Sequence, residues 1–227
     1  MKSEEVIRKL KSMSNTENVA GMARFGINPE NTLGISVYDL RKMAKEIGRS
    51  HSLALRLWGS GIHEARLLAV FVDEPAKVTE SQMEKWAKDF DSWDVCDQAC
   101  TDLFDGTAFG WKKAKEWSSR EQEFVKRGAF ALMAGLAVHD KKAEDSDFKE
   151  FLPLIIKEAS DERNFVRKAV NWALRNIGKR NMTLNRAAIT AAKDIARIDS
   201  KAARWIAKDA LRELAGEAVQ KRLKAKK

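Results

Sequence analysis

Apolar residues along this chain recur at i, i+3, i+4 and i+7 and not at every second position, the spacing that gathers them on one face of an α-helix. Read with that period, the sequence predicts helical segments near 3–13, 36–47, 50–58, 62–72, 79–90, 93–104, 107–117, 120–136, 147–158, 162–179, 183–197 and 200–215. Local signals agree with these limits. Thr79 with Gln82 reads as a capping box, and Ser36 with Asp39 more weakly so. Pro75 and Gly106 fall between segments, where helix breakers belong. Pro153 lies inside an apolar segment and predicts a kink or a late helix start. No run alternates as an amphipathic strand does. Two helices with their turns occupy about 40 residues, in the range of HEAT-type repeats, although no self-similarity at that period is visible. The expectation is an all-α chain, a superhelical stack of antiparallel HEAT-like helix pairs with a concave face. A compact irregular bundle is the alternative. No linker-like stretch interrupts 1–227, which predicts a single domain ending in a basic, frayed tail at about 216–227.

Composition narrows the class. Hydrophobic residues make up 44% and charged residues 33%, against the low hydrophobicity of disordered chains. No stretch of 18 apolar residues occurs, so no membrane span is expected. The N-terminus has no apolar signal region, and the chain is expected in the cytoplasm. Cys96 and Cys100, four residues apart and with no His nearby, fit small core residues better than a disulfide or a metal site. His51, His63 and His139 are scattered, so no metal and no other cofactor is predicted.

Charge changes the picture more than its total of +9 suggests. Residues 1–160 hold 24 basic and 26 acidic side chains, a net of −2, whereas 161–227 hold 18 and 7, a net of +11. An anionic partner, nucleic acid before membrane surface, or simply a solvated basic face would account for that.

Three helices carry the candidate chemistry. In 162–179 the core face is Val166, Ala169, Val170, Ala173, Leu174 and Ile177, and Trp172 falls nearly opposite, among Lys168, Arg175 and Lys179. An indole on a basic face calls either for a second packing surface or for a sugar or base to stack on, with the cations holding phosphates. In 93–104 the apolar stripe is Val95, Cys96, Ala99, Cys100 and Leu103. Trp93 and Asp97, one turn apart, share its edge, where a carboxylate beside an indole is partly desolvated. Asp94 points further toward solvent and suits the helix dipole. In 120–136 the chain is almost wholly apolar from Gly128 on, and Arg127 beside that run must either form an internal salt bridge or bind an anion.

These stretches carry a resemblance. Met22-Ala23-Arg24-Phe25, Leu33-Gly34-Ile35, Leu57-Trp58, Ser92-Trp93-Asp94-Val95-Cys96-Asp97, Val125-Lys126-Arg127 and Phe165 through Arg175 follow one another over residues 20–180 as in the DNA alkylation repair enzymes of the AlkD-like group, the HEAT-like DNA glycosylases. The chain is similar to that family, with Ser92 where the family often has a first Trp and Phe25 where it has an aromatic hydroxyl. The resemblance implies a catalytic aspartate at Asp97, lesion-flanking tryptophans at Trp93 and Trp172, and a cleft arginine at Arg127. Lys168, Arg175 and Lys179 are then expected on the DNA backbone. It implies a monofunctional glycosylase, a monomer, acting on double-stranded DNA with N3- or N7-alkylated purines, without base flipping. A non-catalytic module that binds damaged or branched DNA, and a protein-interaction solenoid, are the other readings.

Overall fold

In the computed structural model, residues 2–225 are described, and Lys226 and Lys227 of the basic tail lie outside them. The described residues form helices and no strands. The chain divides into two compact units, Met1–Phe109 and Gly110–Lys227. The boundary falls directly before a helix with no intervening linker, so composition gave no sign of it.

The first unit contains α1 (Ser3–Ser12), α2 (Thr16–Arg24), α3 (Val37–Ile47), α4 (His51–Trp58), α5 (His63–Val72), α6 (Glu80–Lys88) and α7 (Trp93–Asp102), with short 3-10 turns at Pro75–Lys77 and Phe104–Gly106. Its core is built from Val6, Leu10, Leu40, Leu53, Leu57, Leu67, Leu68 and Met83. Trp58 and Trp86 stack at 3.9 Å between ring centres, and the Trp58 indole N–H donates to Asp89 at 2.8 Å. The start signals act as expected: the Ser36 and Thr79 hydroxyls accept from the amides of Asp39 and Gln82. Helix α2 was not foreseen. It buries none of its residues, so it has no core stripe for a periodicity search to find, and its start is marked by the Asn15 side chain accepting from the Asn18 amide.

The second unit contains α8 (Gly110–Trp117), α9 (Glu123–His139), α10 (Asp145–Lys149), α11 (Phe151–Glu158), α12 (Asn164–Gly178), α13 (Met182–Ile195), α14 (Lys201–Leu214) and α15 (Glu217–Ala225). Pro153 sits in the first turn of α11, where an amide has no helical partner, and the chain breaks between α10 and α11 to allow the late start. Helix α9 is buried on nearly every side, from Gly128 through Ala137, as a helix apolar all round must be. The expected core face of α12 is buried at every position. Helix α15 carries part of the basic tail and buries Leu223.

The stacking shows in the side-chain pairs. Arg127 of α9 meets Phe165 of α12 at a sequence offset of 38, Asn171 of α12 meets Asp209 of α14 at 38, and Arg175 meets Glu213 at 38. Residue numbers rise together on both partners, so α9, α12 and α14 run parallel, as equivalent helices of successive repeats do. In the first unit Trp58 meets Asp89 and His63 meets Asp94, both at an offset of 31. The repeats are therefore of unequal length, and no single period exists for a sequence comparison to detect.

Candidate functional site

In the first unit, α7 places Trp93 and Asp97 one turn apart, and its stripe Val95, Cys96, Ala99, Cys100 and Leu103 is fully buried. Asp97 is only 9% exposed, a carboxylate largely removed from water. Trp93 is half-buried, and its indole N–H donates to the Phe25 carbonyl at 3.0 Å, which fixes the ring. With Met22, Phe25, Ile27 and Ile35 it lines a shallow apolar cavity of about 560 Å³, and Phe25 stands 76% exposed at that rim. Burial first, then the neighbouring Cys96 and Asp97, push the Cys100 thiol well above its usual range. It stays protonated and is no nucleophile.

The start of α7 corrects the reading of Asp94. It does not point to solvent. It is buried and accepts from the His63 Nε2 side at 2.9 Å, while its other oxygen accepts from the Val95 amide at 2.9 Å. Burial opposes charge on His63, but the hydrogen bond and charge of Asp94, with Glu64 and Asp91 further off, outweigh it and raise the imidazole's pKa. The next residue, Glu64, is fully buried and accepts from the amides of Leu33, Gly34 and Ile35 at 2.8, 2.7 and 3.2 Å. Two consecutive side chains at the head of α5 thus hold the start of α7 and the segment lining the Trp93 cavity. Sequence reasoning missed both. A lone His and a first-turn Glu carry no spacing signal, and their partners lie about 30 residues away.

In the second unit, Arg127 is buried, and one guanidinium N–H donates to the Phe165 carbonyl at 2.6 Å. The carbonyl is a partner neither expectation named. Phe165 also packs on Phe124, 5.5 Å between ring centres. Trp172 is half-buried on the polar side of α12, outside the core. Of the three cations expected on the backbone, only Lys168 is exposed and without an ion pair among the described residues. Arg175 is 2.5 Å from Glu213 and 3.5 Å from Asp209, and Lys179 is 2.8 Å from Glu213. Those acids lie on α14, 38 residues on from Arg175 and Asn171, so helix phasing of α12 alone could not reveal them. Burial disfavours charge on Glu213, yet Lys179 and Arg175 overcome it and hold its carboxyl below the usual range. The structure gathers Trp93 with Asp97 in one unit and Arg127 with Trp172 on neighbouring helices of the other.

Parallel helices repeated at offsets near 31 and 38, one buried carboxylate beside a fixed indole, and a second indole on a basic helix define an α-helical repeat protein of the HEAT-like kind. The family model described as DNA alkylation repair enzyme matches residues 6–214, and the chain belongs to that family. Among solved structures it is similar in fold to one described as a new family of proteins related to the HEAT-like repeat DNA glycosylases with affinity for branched DNA structures. The TM-score is 0.78, the identity 17%, and the match covers 95% of this chain and 97% of that one. A designed armadillo repeat protein in complex with a (KR)4 peptide matches at a TM-score of 0.37, with 16% identity over 82% of this chain and 89% of that one, too low to carry an argument. No curated protein matches the chain.

Proposed function

We propose that the protein is a monofunctional DNA glycosylase that hydrolyses the N-glycosidic bond of cationic N3- or N7-alkylated purines in duplex DNA without flipping the base. The observation that carries this reading is Asp97, a carboxylate 9% exposed, one turn from a fixed, half-buried indole, in a chain of the DNA alkylation repair family. An alkylated purine already bears positive charge and leaves without protonation. The barrier is the cationic sugar that develops as the bond breaks, and a carboxylate in a poorly hydrated setting stabilises that charge and aligns a water for attack. Trp93, one turn from Asp97, offers an indole face to the cationic nucleotide, and in the second unit the exposed Lys168, near Trp172 on α12, offers a cation to the DNA backbone.

The test is incubation of the protein with duplex DNA carrying a single 7-methylguanine or 3-methyladenine and detection of the free base. Release above the spontaneous rate supports the reading. A second reading, a non-catalytic module for branched DNA, is favoured by one observation, the description of the structure similar in fold. It predicts tighter binding to a four-way junction than to a duplex, with no base released from either.

A further inference from the structure

The C-terminal ends of α9 and α12 open onto a cavity of about 470 Å³ in the second unit, lined by Lys141, Lys179, Arg180 and Arg222 together with Asn176 and Asn181, and by no carboxylate. We propose that it is a phosphate-binding pocket that takes a phosphodiester of a DNA strand, a site additional to Trp93, Asp97, Arg127 and Trp172. The identity of the strand as DNA rests on the reading above. The pocket itself rests on the following geometry.

Main-chain carbonyls hold the cations in place. Arg180 donates to the carbonyls of Ala137 and Ala143 at 3.2 and 3.0 Å and lies 4.4 Å from the centre of the Phe148 ring. Lys141 donates to the Val138 carbonyl, and Arg222 to the Lys179 carbonyl at 3.4 Å. A guanidinium has five N–H donors, so Arg180 keeps three for a ligand. The bland alternative is that these side chains only neutralise helix ends. Two C-termini present about one negative charge between them. Glu213 offsets Lys179, and Asp140 acts on Arg180 from outside the lining. Asp145 also reaches the rim, accepting from Asn181 at 2.7 Å, but all three carboxylates stand outside the lining, so the four cations that line the cavity present their positive charge to a singly charged phosphodiester.

The position also fits a strand. Asn176 and Lys179 follow Trp172 by four and seven residues on the same side of α12, about 6 and 10 Å along its axis. At about 3.4 Å of rise per nucleotide, that is two to three nucleotides from whatever Trp172 touches.

The experiment measures duplex affinity against salt for the wild type, for the double variant Lys141→Gln/Arg222→Gln, and for Lys193→Gln/Lys208→Gln, which removes the same charge from exposed positions on α13 and α14. Loss of one phosphate contact lowers the slope of log K against log salt by about 0.9 and the affinity at 0.1 M salt roughly eightfold. That loss is expected for the pocket variant, with a smaller one for the control. Equal slopes for wild type and pocket variant, while the wild type binds DNA, overturn the pocket. Equal losses in the two variants overturn it too, because they mark a general effect of charge. No salt-dependent binding by the wild type overturns the DNA reading and the phosphodiester assignment together. Titration with inorganic phosphate separates the remaining source: millimolar phosphate that binds the pocket without being displaced by duplex makes this a site for a free phosphate and overturns the assignment to a strand.

Discussion

His63 and Asp94 form a buried pair at the start of the helix that carries Asp97, and neither side chain has water to replace its partner. Replacing His63 with Leu leaves the Asp94 carboxylate buried without the imidazole and still held by the Val95 amide, which costs roughly 3 kcal/mol. Urea unfolding would show that loss at pH 6. Its pH dependence has a definite sign. Because the folded protein raises the His63 pKa, the pair's protonated contribution is complete below the unfolded value of about 6.5 and fades as pH rises through the folded value. The gap between wild type and His63→Leu should therefore narrow from pH 6 to pH 9, and an unchanged or widening gap contradicts the protonated pair. At this scale the phase of α7 gave the placement of Trp93 and Asp97 one turn apart, as the structure has them. Asp94 was not legible in the sequence, because an acid in a helix's first turn has a sufficient local explanation in the dipole, and its real partner lies on another helix.

The element on which the Trp93 cavity depends most is the short segment 33–35. Gly34 has φ of +80°, and a Cβ there would stand 2.1 Å from the Asn15 carbonyl oxygen. Its amide donates to Glu64, and the Asn18 side chain donates to its carbonyl. Gly34→Ala should therefore displace α2 as well as strain the segment, a loss of about 2–3 kcal/mol in thermal or urea unfolding. Glu64→Gln removes the charge that three amides share and should cost about 2 kcal/mol. Near-wild-type stability in either variant would remove this segment from the support of Trp93. The helices themselves were mostly legible, because burial imposes a period of 3.6 on the chain. Those without a core stripe, such as α2, had nothing to impose it. The stacking of α9, α12 and α14 was also hidden: it depends on pairs such as Asn171 with Asp209, and the offset changes from 31 to 38 between the units.

Across the molecule, charge follows the two units. Residues 1–109 hold 14 basic and 17 acidic side chains, a net of −3, and residues 110–227 hold 28 and 16, a net of +12. Of that +12, residues 110–160 contribute 10 basic and 9 acidic side chains, a net of +1, so the excess stays concentrated in 161–227, and part of it is spent internally on Glu213 and Asp209. Glu213→Gln releases Lys179 and leaves Arg175 with Asp209 alone, and duplex binding should then tighten and depend more steeply on salt, by up to about 0.9 in slope for each cation that finds a phosphate. Unaltered binding would show that those two cations do not reach DNA. The proposed role of Asp97 in scission of the glycosidic bond is chemical and can be measured as such. Its most direct test is single-turnover release of 7-methylguanine from duplex DNA by wild type and by Asp97→Asn, with duplex affinity measured beside it. The variant is expected to keep its affinity and to release the base at least about 100-fold more slowly. Equal release, or none from either protein, would contradict it.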